Sequence, residues 1–143
     1  MITFSLIIPH KNVPKLLQRC LDSINGRNDL EIIVVDDNSD SSIVDFSHFP
    51  GGDREDVTII FNKEGRGAGF ARNLALEKAI GKWILFADAD DYFSADIHSV
   101  LDKYVDDEQT DMVFLNSKIV DEKGKICPSA INRYMDNYFK GKK

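Results

Sequence analysis

A chain of 143 residues with a net charge of -6 is long enough for one domain to bury an ordinary core. It is too acidic overall for a general phosphate-backbone binder, which needs clustered Lys and Arg, so an anionic ligand would need local help from a metal, backbone amides or a few placed cations. The two cysteines, Cys20 and Cys127, are too few for a disulfide framework and read as small hydrophobic filler in a reduced, cytoplasmic protein.

The opening "MITFSLIIPHKN" lacks a basic leader and a cleavage site, and reads as a strand ending at Pro9-His10-Lys11-Asn12. "PKLLQRCLDSING" then carries Leu16, Leu17, Cys20, Leu21 and Ile24 on one helical stripe, with Asn12 as the expected N-cap, Pro14 in the first turn and Gly26 as the stop. "LEIIVVDD" is almost continuously apolar, as a strand buried on both faces requires, and ends in Asp36-Asp37. Residues 39–56 hold turn residues without a sustained period, which predicts a long loop with a short helix around Ile43 to Phe46.

"DVTIIFN" predicts a third strand, and the glycine-spaced "NKEGRGAGFARN" leads from it into a helix, "GFARNLALEKAIG". That helix is expected to align Ala71, Leu74, Ala75, Lys78 and Ala79 and to end at Gly81. "KWILFAD" predicts a fourth strand. "SADIHSVLDKYV" predicts a third helix capped by Ser94, with Ile97, Val100, Leu101 and Tyr104 facing inward. "TDMVFLNS" is expected as a fifth strand. The tail "INRYMDNYFKGKK" has Tyr134 and Tyr138 four apart and a basic end, which suits a helix that docks on further structure, frays, or touches a membrane surface. No apolar run approaches the roughly 20 residues that span a bilayer.

Strands alternating with helices predict an α/β fold, a single domain over residues 1–143 with a mostly parallel sheet and helices on both faces. In such sheets ligands sit outside the carboxyl ends of the strands. Polar chemistry concentrates at those ends.

"WILFADADD" runs from apolar strand into Asp88, Asp90 and Asp91. Carboxylates that close repel one another unless a cation lies between them, and hard Mg²⁺ or Mn²⁺ takes one or two protein carboxylates with water and phosphate oxygens. The spacing equally allows Asp90 or Asp91 to cap the following helix. Asp36 and Asp37 can accept from a nucleobase or ribose, or satisfy turn amides. Gly65, Gly67 and Gly69 precede a helix, where free amides favour an anion, yet they match neither the dinucleotide fingerprint nor a P-loop. Arg66 and Arg72 could reach a diphosphate or be surface charges. His10 reads as a packing or turn residue, and no Cys or His spacing supports a zinc site.

Together and in this order, "FSLIIPHKN", "LQRCLDSI", "LEIIVVDDNSD", "GRGAGFARNLALEKAIGKWILFADADD" and "TDMVFLNS" resemble the inverting family 2 glycosyltransferases with the GT-A (Rossmann-like) fold. The resemblance covers roughly the first 120 residues. It implies a nucleotide-sugar donor, a UDP-sugar in the first instance, and a glycan or lipid-linked acceptor. Asp37, with Asp36 beside it, would accept from the uracil or ribose; the backbone at Pro9 to His10 would flank the base, with Asn12 and Arg66 also counted as substrate-binding; Arg72 would lie near the diphosphate. Asp88 would touch the ribose or the metal's waters, and Asp90 would be the principal Mn²⁺ or Mg²⁺ ligand. It also implies polysaccharide synthesis in the cytoplasm or at the inner face of a membrane.

Two departures from that family stand out. Lys11 takes the place of the usual Tyr, where it could approach a phosphate. No general base for the acceptor hydroxyl is evident among Asp106, Asp107, Glu108, Asp111, Asp121, Glu122 or Asp136, so the catalytic residue is unassigned and the sequence looks like the donor-binding portion of a longer enzyme. Two other readings are weighed beside this one. A non-catalytic nucleotide-binding module would fit the missing base. A phosphoacceptor receiver domain would use "VVDD" and Asp88, with Lys118 as its cation.

Overall fold

The computed structural model of the protein describes residues 1–128 and Tyr134. The chain divides into two compact units, Met1–Asp106 and Asp107–Lys143.

The first unit is built on four parallel strands, β1 (Phe4–His10), β2 (Leu30–Asp37), β3 (Val57–Asn62) and β4 (Trp83–Phe86), in the order β3-β2-β1-β4. Register pairs Ile7 with Ile33 and Phe86, and Asp37 with Asn62. β1 and β2 are central and almost wholly buried, as their unbroken Ile/Val/Leu runs predict.

Alternate side chains of those strands supply two cores. Leu6, Ile8, Ile32 and Val34 pack with Leu17, Cys20 and Leu21 of α1 (Pro14–Asp22), with Ile24 just beyond it, and with Ile97 and Leu101 of α3 (Ile97–Leu101). On the opposite face Ile7, Ile33 and Val35 meet Ala71 and Ala75 of α2 (Ala68–Leu76). Each fully buried aliphatic side chain contributes about 1.5–3 kcal/mol. Small alanines let α2 lie close on the sheet, and that closeness sets where its N-terminus meets the strand ends.

Several boundaries differ from the sequence reading. Val13 rather than Asn12 caps α1, because the Asn12 carboxamide oxygen accepts the amide of Asp40 (2.8 Å) and Asn12 itself is left-handed, with φ of 58°. Asp96 rather than Ser94 stands at the start of α3. The helix expected near Ile43 is a 3-10 turn at Phe46–His48, capped by Asp45. Lys78 is exposed, and Gly81 does not stop α2 but lies against β1: a Cβ there would come within 2.6 Å of the Ser5 nitrogen.

In the second unit the expected strand over residues 110–117 is absent among the described residues; they carry no ladder, and Met112 and Phe114 are exposed. An apolar run needs a hydrogen-bonding neighbour and a face to bury before it becomes a strand. What forms instead is an antiparallel bridge between Val120 and Ile126, closed by Asp121 accepting the amides of Lys123 and Lys125. No helix of the described residues is long and apolar enough to cross a membrane. The basic tail, apart from the exposed Tyr134, lies outside the described residues.

Candidate active site

The chain runs outward from β1 to β2 and β3, then returns to place β4 on the other side of β1. That reversal opens a crevice at the carboxyl ends, the position where open α/β sheets bind ligands. A cleft of about 490 Å³ occupies it, lined by Pro9, His10, Lys11, Asp37, Arg72 and Asp88 together with Val13, Gly65, Gly67, Ala68, Ala89 and Asp90. The acid tips of β2 and β4 thus face one space, across the end of β1.

Beneath the cleft, His10 and Asp36 tie β1 to β2. The amide of Val13 donates to His10 Nε2 (3.2 Å), which leaves the proton on Nδ1, and Nδ1 donates to Asp36 Oδ1 (2.8 Å). Both side chains are almost fully buried, at 0% and 2% exposure. The Ser39 hydroxyl donates to Asp36 Oδ1 (2.5 Å) while accepting the Asn12 amide (2.9 Å), and the Ser39 amide donates to Asp36 Oδ2 (3.0 Å). Asp36 and Asn12 are therefore spent on shaping two loops, and neither lines the cleft.

Asp37 supports the glycine-rich loop. Its Oδ1 accepts from Asn62 Nδ2 (2.7 Å) and the Arg66 amide (3.1 Å), and its Oδ2 accepts the Gly67 amide (2.7 Å). Burial pushes the carboxyl up, but the Gly67 amide, Asn62 and the Arg66 amide outweigh it and hold Asp37 below the ordinary carboxylate range. A carboxylate offers about four acceptor sites, so Asp37 keeps capacity for a donor in the cleft. The amides of residues 66 and 67, expected to await an anion, are already occupied.

The fourth strand sorts its acids by alternation. Ala87 and Ala89 are buried in the same core as Trp83 and Leu85, so Asp88 and Asp90 emerge together on the cleft side. Asp88 Oδ1 accepts from Arg72 Nη2 at 2.5 Å. The Asp90 carboxylate makes no ion pair or hydrogen bond among the described residues, while its backbone carbonyl accepts from Arg19 Nη2 (2.5 Å). Arg19 also lies over the Tyr92 ring at 4.7 Å, and the Ser23 hydroxyl accepts the Phe93 amide (2.9 Å), so α1 fixes this tip at two points. Partial burial, then the charges of Asp90 and Asp88, push the Asp91 carboxyl up. Neither Asp90 nor Asp91 caps a helix.

Arg66 is turned away from the cleft: its guanidinium lies 4.3 Å from the Phe70 ring centre and 3.4 Å from Glu64. Among the described residues no three His, Cys, Asp or Glu side chains converge on one point. The unengaged Asp90 and its exposed neighbour Asp88 suit instead a hard dication that takes one or two protein carboxylates and completes its shell with water and phosphate oxygens. Asn62 and Arg19 are supporting residues that sequence reading missed; Asn62 alone left a trace, as a polar residue in register with Asp37 at the end of its strand.

The model of Glycosyl transferase family 2 matches residues 5–143. The chain belongs to this family. It is 28% identical over 129 residues to a poly(ribitol-phosphate) beta-N-acetylglucosaminyltransferase, TarS, of Staphylococcus aureus strain Mu50, covering 87% of this chain and 22% of the relative. The solved structure of S. aureus TarS 1-349 in complex with UDP-GlcNAc superimposes with a TM-score of 0.62 at 27% identity, over 73% of this chain and 31% of that one. A mannosyltransferase of Pyrobaculum calidifontis in complex with GDP-Man and Mn²⁺ gives a TM-score of 0.62 at 28% identity, over 73% and 32%. The first unit therefore has the GT-A, Rossmann-like architecture that the sequence resemblance implied. The chain spans about a fifth of the length of the S. aureus relative it matches. The receiver reading falls with family membership, and also because the acid pair closes the second strand rather than the first.

Proposed function

We propose that this family 2 glycosyltransferase chain binds a nucleotide-sugar donor, a UDP-sugar in the first instance, and serves metal-dependent, inverting transfer to a hydroxyl of a glycan or lipid-linked acceptor. One observation carries the reading: Asp37, Arg72, Asp88 and Asp90, from three different elements, line a single cleft at the switch point of the sheet. The UDP-GlcNAc and GDP-Man complexes of similar chains support a nucleotide-sugar donor.

Charge decides what else the donor needs. Lys11 and Arg72 face Asp37, Asp88 and Asp90 in the cleft lining, two cations against three carboxylates. A bare diphosphate would enter an already negative site. Asp90, with Asp88, would hold Mn²⁺ or Mg²⁺, which when bound offsets phosphate charge and stabilises the departing nucleoside diphosphate. Asp37 would take an N–H or hydroxyl of the nucleoside through its remaining acceptor site, and the Pro9–His10 backbone would flank the base. All three carboxylates of the lining are thereby engaged on the donor side, and no general base is assigned.

Calorimetry of UDP binding, with and without Mn²⁺, tests this. Asp90→Ala should abolish the Mn²⁺-dependent part of the affinity and leave the melting temperature unchanged. Wild-type affinity in that variant would remove Asp90 from the site. A thermal-shift panel of nucleoside diphosphates would identify the base.

A further inference from the structure

The two cations of the cleft lining are in different states. Arg72 is committed to Asp88. Lys11 is exposed and, among the described residues, has neither an ion pair nor a hydrogen bond. Its Nζ lies beside the glycine loop, 3.7 Å from where a Cβ on Gly65 would sit, and its charge acts on Asp37 from a distance. The other positive charges of that loop are not offered to the cleft: the amides of Arg66 and Gly67 donate to Asp37, the Arg66 guanidinium rests on Phe70, and the exposed Lys63 is not part of the cleft lining.

We propose that these two cations divide the work of the cleft: Lys11 is the side chain that meets the phosphates of the donor, while Arg72 serves as the counter-cation of the Asp88–Asp90 tip until a metal takes over that charge. The proposal rests on the donor-site reading above and makes it more specific. An ammonium held only by long-range attraction to Asp37 can pair with a phosphate without first breaking an ion pair or hydrogen bond. Arg72 cannot. A dication arriving beside Asp88 must work against the positive charge of Arg72, because like charges at this range repel. Arg72 therefore weakens metal binding in the absence of nucleotide and is released toward the ligand only when the metal replaces it at Asp88.

The test is a double dissociation by calorimetry with UDP, uridine and Mn²⁺ separately, on the full chain. Lys11→Gln should lower UDP affinity about tenfold while leaving uridine and Mn²⁺ affinities as in the wild type, with Lys11→Arg restoring UDP binding. Arg72→Gln should tighten Mn²⁺ binding about three- to tenfold in the absence of nucleotide; Arg72→Met, which keeps the aliphatic stem, replaces it should Gln lower the melting temperature. Equal loss of uridine and UDP in Lys11→Gln would assign Lys11 to the base and overturn the division, as would Mn²⁺ affinity that is unchanged or weaker in both Arg72 variants. A wild-type chain that binds neither UDP nor Mn²⁺ would bring down the donor site itself and this inference with it. A wild-type chain that binds both, with variants indistinguishable from it, would overturn the inference alone.

Discussion

Asp37 accepts the amide of Gly67 at 2.7 Å across thirty residues of sequence. This contact makes the end of β2 the scaffold of the loop that opens α2. It locks Gly67 at a φ of 91°, a left-handed conformation open to glycine at little cost. Asp37→Ala would strand the Asn62, Arg66 and Gly67 donors together and should cost about 3 kcal/mol. Because interactions in the folded state depress the Asp37 pKa, its contribution is present above the unfolded carboxylate value and is lost as pH falls through the folded value. Urea unfolding midpoints should therefore drop more steeply for wild type than for Asp37→Asn between roughly pH 5 and pH 2. Parallel curves would show that Asp37 is not the residue holding this loop.

His10, Asp36 and Ser39 make a second strap, and its members stand or fall together. Removing the Asp36 carboxylate leaves the His10 Nδ1–H, the Ser39 amide and the Ser39 hydroxyl without their acceptor. Asp36→Ala should cost about 3 kcal/mol or more, and Ser39→Ala about 1–2 kcal/mol. A double-mutant cycle between His10→Ala and Asp36→Ala should give a coupling of at least about 1 kcal/mol; additive losses would dissolve the network into separate contacts.

Much of this architecture was legible because it depends on local pattern. Unbroken apolar runs placed β1 and β2 at the centre, and the stripe of Leu17, Cys20 and Leu21 placed α1 on one face. The alternation that sends Ala87 and Ala89 inward and Asp88 and Asp90 outward is likewise written in the order of residues. What was not legible depends on partners far along the chain. Asn12 looks like a helix cap until Asp40, twenty-eight residues on, takes its side chain. Asp36 and Asp37 are indistinguishable as letters, yet one is consumed by a buried histidine and the other faces the cleft. Residues 110–117 carry the apolar run of a strand, Met112 to Leu115, but find no pairing neighbour among the described residues.

Gly81 shows how a residue that reads as punctuation can be a packing requirement. A Cβ there would lie 2.6 Å from the Ser5 nitrogen and 2.7 Å from the Phe4 carbonyl carbon, both backbone atoms that cannot rotate away. The Gly81 amide also donates to Ser5 Oγ (2.8 Å), so the entry to β4 is drawn onto the start of β1. Gly81→Ala should cost about 1–3 kcal/mol through displacement of β1. The urea midpoint should fall with an unchanged slope. A neutral effect would mean that the turn before β4 can yield without moving the sheet.

Cys20 supplies a check on the core itself. It is fully buried between α1 and the sheet, and burial, followed by the charge of Asp91, pushes its thiol up to about 11. Alkylation needs both access and a thiolate, and Cys20 has neither in the folded state. Native protein treated with iodoacetamide near pH 8 should carry its adduct on Cys127, which is partly exposed, and none on Cys20. In denaturant both should react, since an unperturbed thiol titrates near 8.5. Labelling of Cys20 at a rate independent of denaturant would show that α1 leaves the sheet readily, and with it the Arg19 and Ser23 contacts that hold the acidic tip in place.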